Sequence, residues 1–373
     1  MRHIALGVAT ICMGAMPLCG QAQSSVQIYG KIDLGLRYTD HAGPGGGSVL
    51  EEKASTNRLG FRGKERLGDG LSAIFELENG FNGNTGQAGQ SGRLFGRHAW
   101  VGLRSDTLGT VRLGRQWGPA TDYVSKVAAG FQPYGGSIAA HFGDMDNMNG
   151  YFRYNNSVKY TSPDFGGFSF AGLYGLGEAG ASGNHAFSLA AGYKSGPLVL
   201  AASYFQVNDP IRTVYDGDPD KNNIKGTFGS SPLAGLQWAD KLKVSAAGGS
   251  YQFGPLKLGL LFTDTRLVQS FLAKGDADYQ NYEINAAYKV TPTLLVGGAY
   301  IYTSGHWHAD DHKPKYHQFN LGTSYSFSKR TSVYLKFAYQ KAAGDAQFAQ
   351  INLLPASYRS SQSVTNIGLK HLF

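Results

Sequence analysis

The strongest constraint on this chain is a regular alternation of apolar and polar side chains over segments of about ten residues. In the first segment, 25–38, apolar residues occupy the even positions, and polar or small residues lie between them. A period of two indicates β-strands with one apolar and one polar face. The sequence therefore predicts an all-β protein of about sixteen strands. The other fifteen segments are 57–67, 70–81, 94–105, 109–117, 155–163, 167–177, 185–195, 197–208, 240–253, 255–267, 280–291, 293–304, 315–328, 331–343 and 363–373.

The connections between these segments alternate between short turns and long loops. The short turns, such as 68–70 and 328–330, are rich in Gly, Pro, Asp and Ser, which favour tight hairpins. This alternation predicts an antiparallel meander with a short-turn end and a long-loop end. Because composition does not shift along 23–373, we expect one domain there. The predicted long loops are 40–56, 82–93, 118–154, 178–184, 209–239, 268–279, 305–314 and 344–362.

The dimensions of the strands favour a barrel that spans a membrane. Ten residues of ~3.3 Å each, tilted by ~45°, span roughly 23 Å, close to the ~25 Å apolar band of outer-membrane barrels. Sixteen strands close into a cylinder roughly 30 Å across, which side chains cannot fill. We therefore expect a water-filled lumen, narrowed by the longest loop, 118–154. The aromatic residues at strand ends, as membrane-interface belts require, are Tyr38, Tyr174, Tyr193, Tyr204, Phe205, Tyr300, Tyr302, Tyr325 and Phe327.

Residues 1–22 have the pattern of a secretory signal peptide. A basic start is followed by an apolar stretch and by Gly-Gln-Ala at 20–22, where we place the cleavage site. Both cysteines, Cys12 and Cys19, lie in this segment, so the exported chain has no disulfide, thiolate nucleophile or cysteine-ligated zinc. After residue 22 there is no apolar run of 18 residues, which excludes a transmembrane helix.

The exported chain is basic. The signal peptide removes Arg2 and no acid, so 33 basic and 26 acidic side chains leave a formal charge of +7. A basic chain can bind nucleic acid, but export and a polar barrel face argue against a nucleic-acid partner. No motif predicts a cofactor.

Four segments carry more specific residue patterns. They read Val-Gln-Ile-Tyr-Gly-Lys-Ile-Asp at 26–33, Asn-Arg-Leu-Gly-Phe-Arg-Gly at 57–63, Arg-His-Ala-Trp-Val-Gly-Leu at 97–103 followed by Gly-Arg-Gln at 114–116, and Ile-Gly-Leu-Lys-His-Leu-Phe at 367–373. In this order they resemble the general porins of Gram-negative outer membranes, in particular their β-proteobacterial branch. The resemblance covers the whole exported chain.

The resemblance implies a homotrimer of sixteen-stranded barrels in the cell outer membrane, passing small hydrophilic solutes and anions by diffusion. It implies contact with membrane lipid and lipopolysaccharide, and recognition by the barrel-assembly machinery through Phe373. It also implies that the third long loop folds into the lumen. That loop often carries an acidic Pro-Glu-Phe-Gly-Gly-like stretch in the family. Here the matching residues, 133–136, read Pro-Tyr-Gly-Gly and lack the glutamate.

A ladder of arginines is predicted at the constriction of the channel. Arg58 and Arg62 share the lumen-facing parity of their strand, and the family match places Arg97 and Arg153 beside them. The alternative interpretation is scattered arginines on a wet wall. An arginine facing lipid near mid-membrane would cost roughly 2–4 kcal/mol, which favours the lumen.

Four further charged residues are predicted near this constriction. In the third loop, Asp122 either faces the channel or anchors the loop, and Lys126 either adds positive charge or is solvated. Glu76 and Glu78 share a lumen-facing parity and either pair with the arginines or line the wall. Together with the missing loop glutamate, this set predicts a weak preference for anions.

Three other functions are compatible with such a barrel. A substrate-specific porin would need an aromatic binding site in the lumen, for which only the loop residues Phe131 and Tyr134 are candidates. A barrel enzyme would need a Ser–His pair on neighbouring strands, and the sequence indicates none. An adhesin or autotransporter would need a passenger segment.

Two clusters of metal-ligand residue types lie in predicted loops. The histidines and aspartates of 306–312 are typical of a solvated surface loop as well as of a metal site. Asp216, Asp218 and Asp220 mimic the start of a calcium loop, but the closing glutamate is absent, which excludes an EF-hand. We therefore predict no metal site.

Overall fold

A computed structural model describes most of the chain. The predicted signal peptide and the aspartates at 216–220 lie outside the described residues. Within the described part, no helix is long and apolar enough to cross a membrane. The described residues are 25–42, 44–177, 183–214 and 231–373.

The described residues form one closed antiparallel sheet of 17 strand segments. From β3 onward each segment pairs with the next along the chain, and the last segment pairs with the first, which closes a barrel. The segments are β1 Ser25–Thr39, β2 Val49–Ala54, β3 Asn57–Gly68, β4 Leu71–Phe81, β5 His98–Ser105, β6 Gly109–Gln116, β7 Tyr154–Thr161, β8 Phe168–Gly175, β9 Ala186–Ser195, β10 Leu198–Asn208, β11 Lys241–Phe253, β12 Leu256–Ser270, β13 Gly275–Lys289, β14 Leu294–Trp307, β15 Pro314–Ser326, β16 Thr331–Gly344 and β17 Ser361–Leu372.

Segments β2 and β3 share one position in the wall. Both pair with β1, β2 along residues 34–39 and β3 along residues 25–31, with a break at residues 55–56 between them. The described barrel therefore has 16 wall positions, which confirms the predicted strand number. The prediction of a loop over 40–56 is wrong at Val49–Ala54, which form strand β2. Three consecutive charged residues at 51–53 hide the alternation of this segment in the sequence.

The helices of the described residues are short and lie in the connections. Four of them fall between β6 and β7, in residues 117–153, which we call the inner loop. The α-helices are α1 Gly89–Gly92, α2 Pro119–Tyr123 and α3 Pro210–Thr213, and the 3₁₀ helices are Pro44–Gly46, Ala129–Phe131, Ser137–Ala139, Phe142–Asp144 and Ala234–Gln237.

The two faces of the wall are chemically opposite. On β13 the side chains of Asn281, Glu283 and Asn285 are buried, whereas those of Tyr282 and Ile284 are about half exposed. The polar face is therefore turned to the barrel interior and the apolar face outward, the reverse of a soluble protein. An apolar exterior over a closed sheet is the arrangement that a lipid bilayer requires.

The inner loop packs against side chains of the wall. Phe142, Met145 and Phe152 of the loop join a buried apolar cluster with residues of several strands, including Phe205 and Val244. The assignment of Phe205 to the aromatic belt is therefore wrong. Its neighbour Tyr204 takes the outward position, and two adjacent strand residues must point to opposite faces.

The seam between β1 and β17 contains a close contact of Gly30 with Phe373. The two residues exchange backbone hydrogen bonds of 3.0 and 3.2 Å. A Cβ atom on Gly30 would overlap the Phe373 ring and would lie 2.7 Å from the carbonyl oxygen of Arg58. Closure matters because unpaired backbone groups cost several kcal/mol each in lipid.

We expect Gly30→Ala, and deletion of Phe373, to lower the yield of heat-modifiable barrel in the outer membrane and to raise periplasmic aggregate. Gly175→Ala is the matched control, because its added Cβ meets no heavy atom closer than 3.6 Å. Equal yields of the Gly30→Ala and Gly175→Ala proteins on semi-native gels would contradict the role of this contact.

Candidate functional site: a basic channel

A cavity of about 810 Å³ lies inside the barrel, between the inner loop and the wall formed by β1, β3, β16 and β17. Among the described residues, its lining holds six cationic side chains and one acid, Asp33. The cavity is therefore strongly positive. The cations are Lys31, Arg58, Arg97, Arg153, Lys336 and Lys370.

Glu78 forms ion pairs with two of the lining arginines, Arg97 and Arg58. Its Oε1 accepts a 2.5 Å hydrogen bond from Arg97 Nε, and its Oε2 lies 3.7 Å from Arg58 Nε. The hydroxyl of Tyr29 also donates to Glu78 Oε2, at 3.0 Å. Glu78 is buried and does not line the cavity, so it neutralises part of the positive charge while fixing the position of the arginines.

Two of the arginines lie close to the same aromatic ring, that of Trp117 in the inner loop. The guanidinium carbons of Arg97 and Arg153 lie 5.6 and 5.3 Å from its ring centroid, within the range of cation–π attraction. Arg153 also donates to the carbonyl oxygen of Tyr151, at 2.6 Å. These contacts hold two like charges close together at the edge of the cavity.

Three lysines of the lining were missed by the sequence analysis. Lys31 Nζ lies 3.5 Å from Asp33 Oδ2, and Lys336 Nζ lies 4.4 Å from the ring centroid of Tyr334. Tyr334 in turn donates to Asp33 Oδ1, at 2.7 Å. Parity could have found Lys31, which shares a strand face with buried Asp33. Lys336 and the third lysine, Lys370, lie near the C-terminal end of the sequence, far from the segments that carry the predicted arginines.

Five of the eight predicted constriction residues lie outside this lining. Arg62 is exposed and donates to Gln27 Oε1 at 2.8 and 2.9 Å, and Glu76 accepts from Tyr29 at 2.6 Å. Lys126 is an exposed residue of the inner loop. The three predicted residues that the structure brings together at the cavity are Arg58, Arg97 and Arg153, with Glu78 behind them.

Asp122 lies at the start of the inner loop and pairs with the wall. Its Oδ2 lies 2.7 Å from Lys159 Nζ, which also donates to the carbonyl oxygen of Trp117 at 2.8 Å. Lys159 is buried on β7. This geometry fits a role of Asp122 as a loop anchor better than a role as a residue that faces the channel.

The inner loop continues from there to the wall formed by β13, β14 and β15. Glu283 accepts from the backbone N–H of Ala129 at 2.8 Å, and Gln318 donates to the carbonyl oxygen of Ile138 at 3.0 Å. Tyr134, in the Pro-Tyr-Gly-Gly stretch, packs directly on Gly297 and Gly322, where a side chain would leave no room. None of the loop aspartates, all within described residues, lines the cavity.

The similarity of the chain to known proteins extends over most of its length. Residues 8–345 match the Gram-negative porin family. The chain belongs to this family. The porin is 30% identical to an outer membrane porin protein of Bordetella pertussis over 406 aligned positions, with 95% of each chain covered. It is 31% identical to outer membrane porin protein 32 of Delftia acidovorans, with 99% of each covered.

A solved structure shares the architecture. The anion-selective porin from Comamonas acidovorans superposes with a TM-score of 0.72 at 25% identity, covering 94% of this chain and 100% of its own. These relatives confirm the predicted resemblance to β-proteobacterial porins. The protein is an outer-membrane diffusion channel and not an enzyme.

We expect Lys159→Met to weaken the attachment of the inner loop. The change removes the partner of Asp122 and a donor to Trp117, which should cost about 1–3 kcal/mol. The temperature at which the barrel changes its migration on semi-native gels should fall. Asp122→Asn is the control, since its amide oxygen still accepts from Lys159, and its shift should be smaller. Wild-type migration of Lys159→Met would argue against the anchor.

Proposed function

We propose that this porin passes small hydrophilic solutes through a water-filled channel and weakly favours anions. The observation that carries the proposal is the lining of the cavity, where six cations face one acid among the described residues. Arginine remains charged in proteins, so the contribution of Arg58, Arg97 and Arg153 does not depend on pH around neutrality. The Comamonas relative is named as anion-selective, which agrees with this proposal.

The size of the preference follows from simple electrostatics. Six lining cations, less Asp33 and the supporting Glu78, leave a net charge of four. Four charges at ~8 Å in water are worth about 2 kcal/mol, and salt screening over a similar length reduces this to about 1 kcal/mol. A difference of about 1 kcal/mol corresponds to roughly a five-fold bias, which is weak to moderate and falls as salt rises.

We further propose that the inner loop lies across the lumen and narrows it. Its contacts run from Lys159 on β7 to Glu283 on β13 and Gln318 on β15, so it reaches from one side of the wall to another. The cavity lies between the loop and the remaining wall. Tyr134 is 1% exposed against β14 and β15, which argues against its use in an aromatic substrate site.

The outer surface supports a homotrimer. Over the described residues of 25–116, one of fifteen exposed large apolar side chains is aromatic, whereas among the described residues after 157 the proportion is eighteen of thirty-one. Aromatic belts form where a barrel meets the membrane–water interface. A face without the belt, around β1–β6, therefore suits contact with a second copy better than contact with lipid headgroups.

The remaining partners follow from the outer surface as well. The apolar face after β6 suits membrane lipid, and the exposed Lys315 and Lys341 near the long-loop end suit the phosphates of lipopolysaccharide. The outward Ile367, Leu369 and Phe373 at the closing seam would be the signal for the barrel-assembly machinery.

Replacing a lining cation should reduce the anion preference. We expect Arg58→Gln, Arg97→Gln and Lys336→Gln each to move the zero-current potential across a KCl gradient toward zero. Lys126→Gln should leave it unchanged, because Lys126 lies outside the lining. A wild-type potential of the sign for cation preference, or variants indistinguishable from wild type, would refute the basic-channel proposal.

Removing residues 128–140 from the inner loop should widen the channel. We expect higher single-channel conductance and faster entry of larger sugars in liposome swelling, because the loop would no longer fill part of the lumen. The folded state of the shortened barrel is first checked by heat modifiability. Unchanged conductance together with an unchanged exclusion limit would place the loop outside the conducting path.

A further inference from the structure

A buried histidine joins the middle of the inner loop to the wall. His141 is 1% exposed, and both of its ring nitrogens face carboxylates. Nδ1 lies 2.5 Å from Asp146 Oδ2 in the same loop, and Nε2 lies 3.0 Å from Glu283 Oε2 on β13. A neutral imidazole can donate from only one nitrogen, so this arrangement fits the doubly protonated cation.

The surroundings of His141 favour that cation. The titratable groups that face it are Asp144 and Asp146 from the loop and Glu283 from β13, with the phenol of Tyr134 near Glu283. Burial by itself lowers the pKa of His141, but Asp146 and Glu283 outweigh burial and raise it to about 10. Burial and the neighbouring Asp146 raise the pKa of Asp144 well above its usual range.

One carboxylate holds the loop at two places. Glu283 accepts from the backbone N–H of Ala129 through Oε1 and contacts His141 through Oε2. The loop residues 129 and 141 are twelve positions apart and bracket the Pro-Tyr-Gly-Gly stretch next to the cavity. On β12, Thr263 donates to Asp146 Oδ2 at 2.7 Å, which fixes the position of Asp146, the other carboxylate that contacts His141.

We propose that His141 is a positioning residue, an ionic latch that holds the inner loop against β13 and thereby keeps the width of the channel constant. The inference rests on the proposed narrowing of the lumen by this loop. When His141 loses its charge, neutral contacts remain, such as the Gln318 bond to Ile138 and the stacking of Phe142 on Tyr316 with centroids 4.0 Å apart. The loop should therefore fluctuate about its site and not leave it.

The sign of the pH dependence follows from the direction of the shift. The pKa of His141 is higher in the folded protein than the ordinary ~6.5. Its contribution to stability is therefore complete below about pH 6.5 and is lost as pH rises through about 10. On the acid side, His141 outweighs burial and lowers the pKa of Asp146, so the contribution of Asp146 to stability is present above its ordinary pKa and is lost as pH falls through the lowered value.

The test is the current noise and closing frequency of single channels in planar bilayers between about pH 6 and 11. We expect wild-type channels to be quiet to about pH 9 and then to flicker as the latch is lost. His141→Asn should flicker at neutral pH and show no further rise in alkali. His308→Asn is the matched control, because His308 is exposed and pairs with Asp278 away from the inner loop.

The lining lysines also lose charge in alkali, but they do so equally in all of these proteins. An alkaline rise as large in His141→Asn as in wild type, or wild-type currents that stay quiet throughout, would overturn the latch, and the second of these observations needs no variant. Glu283→Gln should behave like His141→Asn, and the double variant should flicker no more than the worse single one. If the two substitutions increase the flickering additively, His141 and Glu283 do not act through one shared contact, and the latch is overturned.

Failure of the latch can be told apart from failure of the proposed narrowing. If removal of residues 128–140 does not change conductance, the loop does not narrow the channel. If that deletion widens the channel but His141→Asn has the pH profile of wild type, the loop narrows the channel without an ionic latch.

Discussion

Backbone hydrogen bonding in lipid is the constraint on which the rest of this porin depends. A strand edge exposed to the hydrocarbon would leave a row of N–H and C=O groups without partners. The chain meets this constraint by pairing β1 with β17 over nine residues, from Lys31 to Thr39, and by pairing residues 25–31 of β1 with β3. Once the sheet is closed, its alternating side chains are divided into an apolar exterior and a polar interior.

The closed wall has an interior that wall side chains alone cannot fill, and the inner loop makes contacts with the inward side chains of several strands. Phe142 of the loop and Phe205 of the wall belong to one buried apolar cluster, on the side toward β7–β15. The cavity lies on the other side, along β1, β3, β16 and β17. Basic residues from both ends of the sequence meet there, because closure makes β1 and β17 neighbours.

Opposite charges in the interior have two distinct uses. At the cavity, Glu78 and Asp33 hold cations whose other sides face open space, so the lining stays positive. Away from the cavity, Lys159 with Asp122, and His141 with Asp146 and Glu283, join the loop to the wall. The first group of pairs leaves the cavity lining with an excess of positive charge, and the second group attaches the loop to the wall.

The alternating pattern by itself determined the class of fold, the strand number and the face of most side chains, because the period of a strand is a local property. It also determined Arg58 as a lumen residue, by parity. Only the tertiary structure decided that Lys336 and Lys370 join Arg97 and Arg153, that Asp122 pairs with Lys159, and that His141 reaches Glu283. These partners are separated by up to hundreds of residues in sequence, and only barrel closure and the path of the inner loop bring them together.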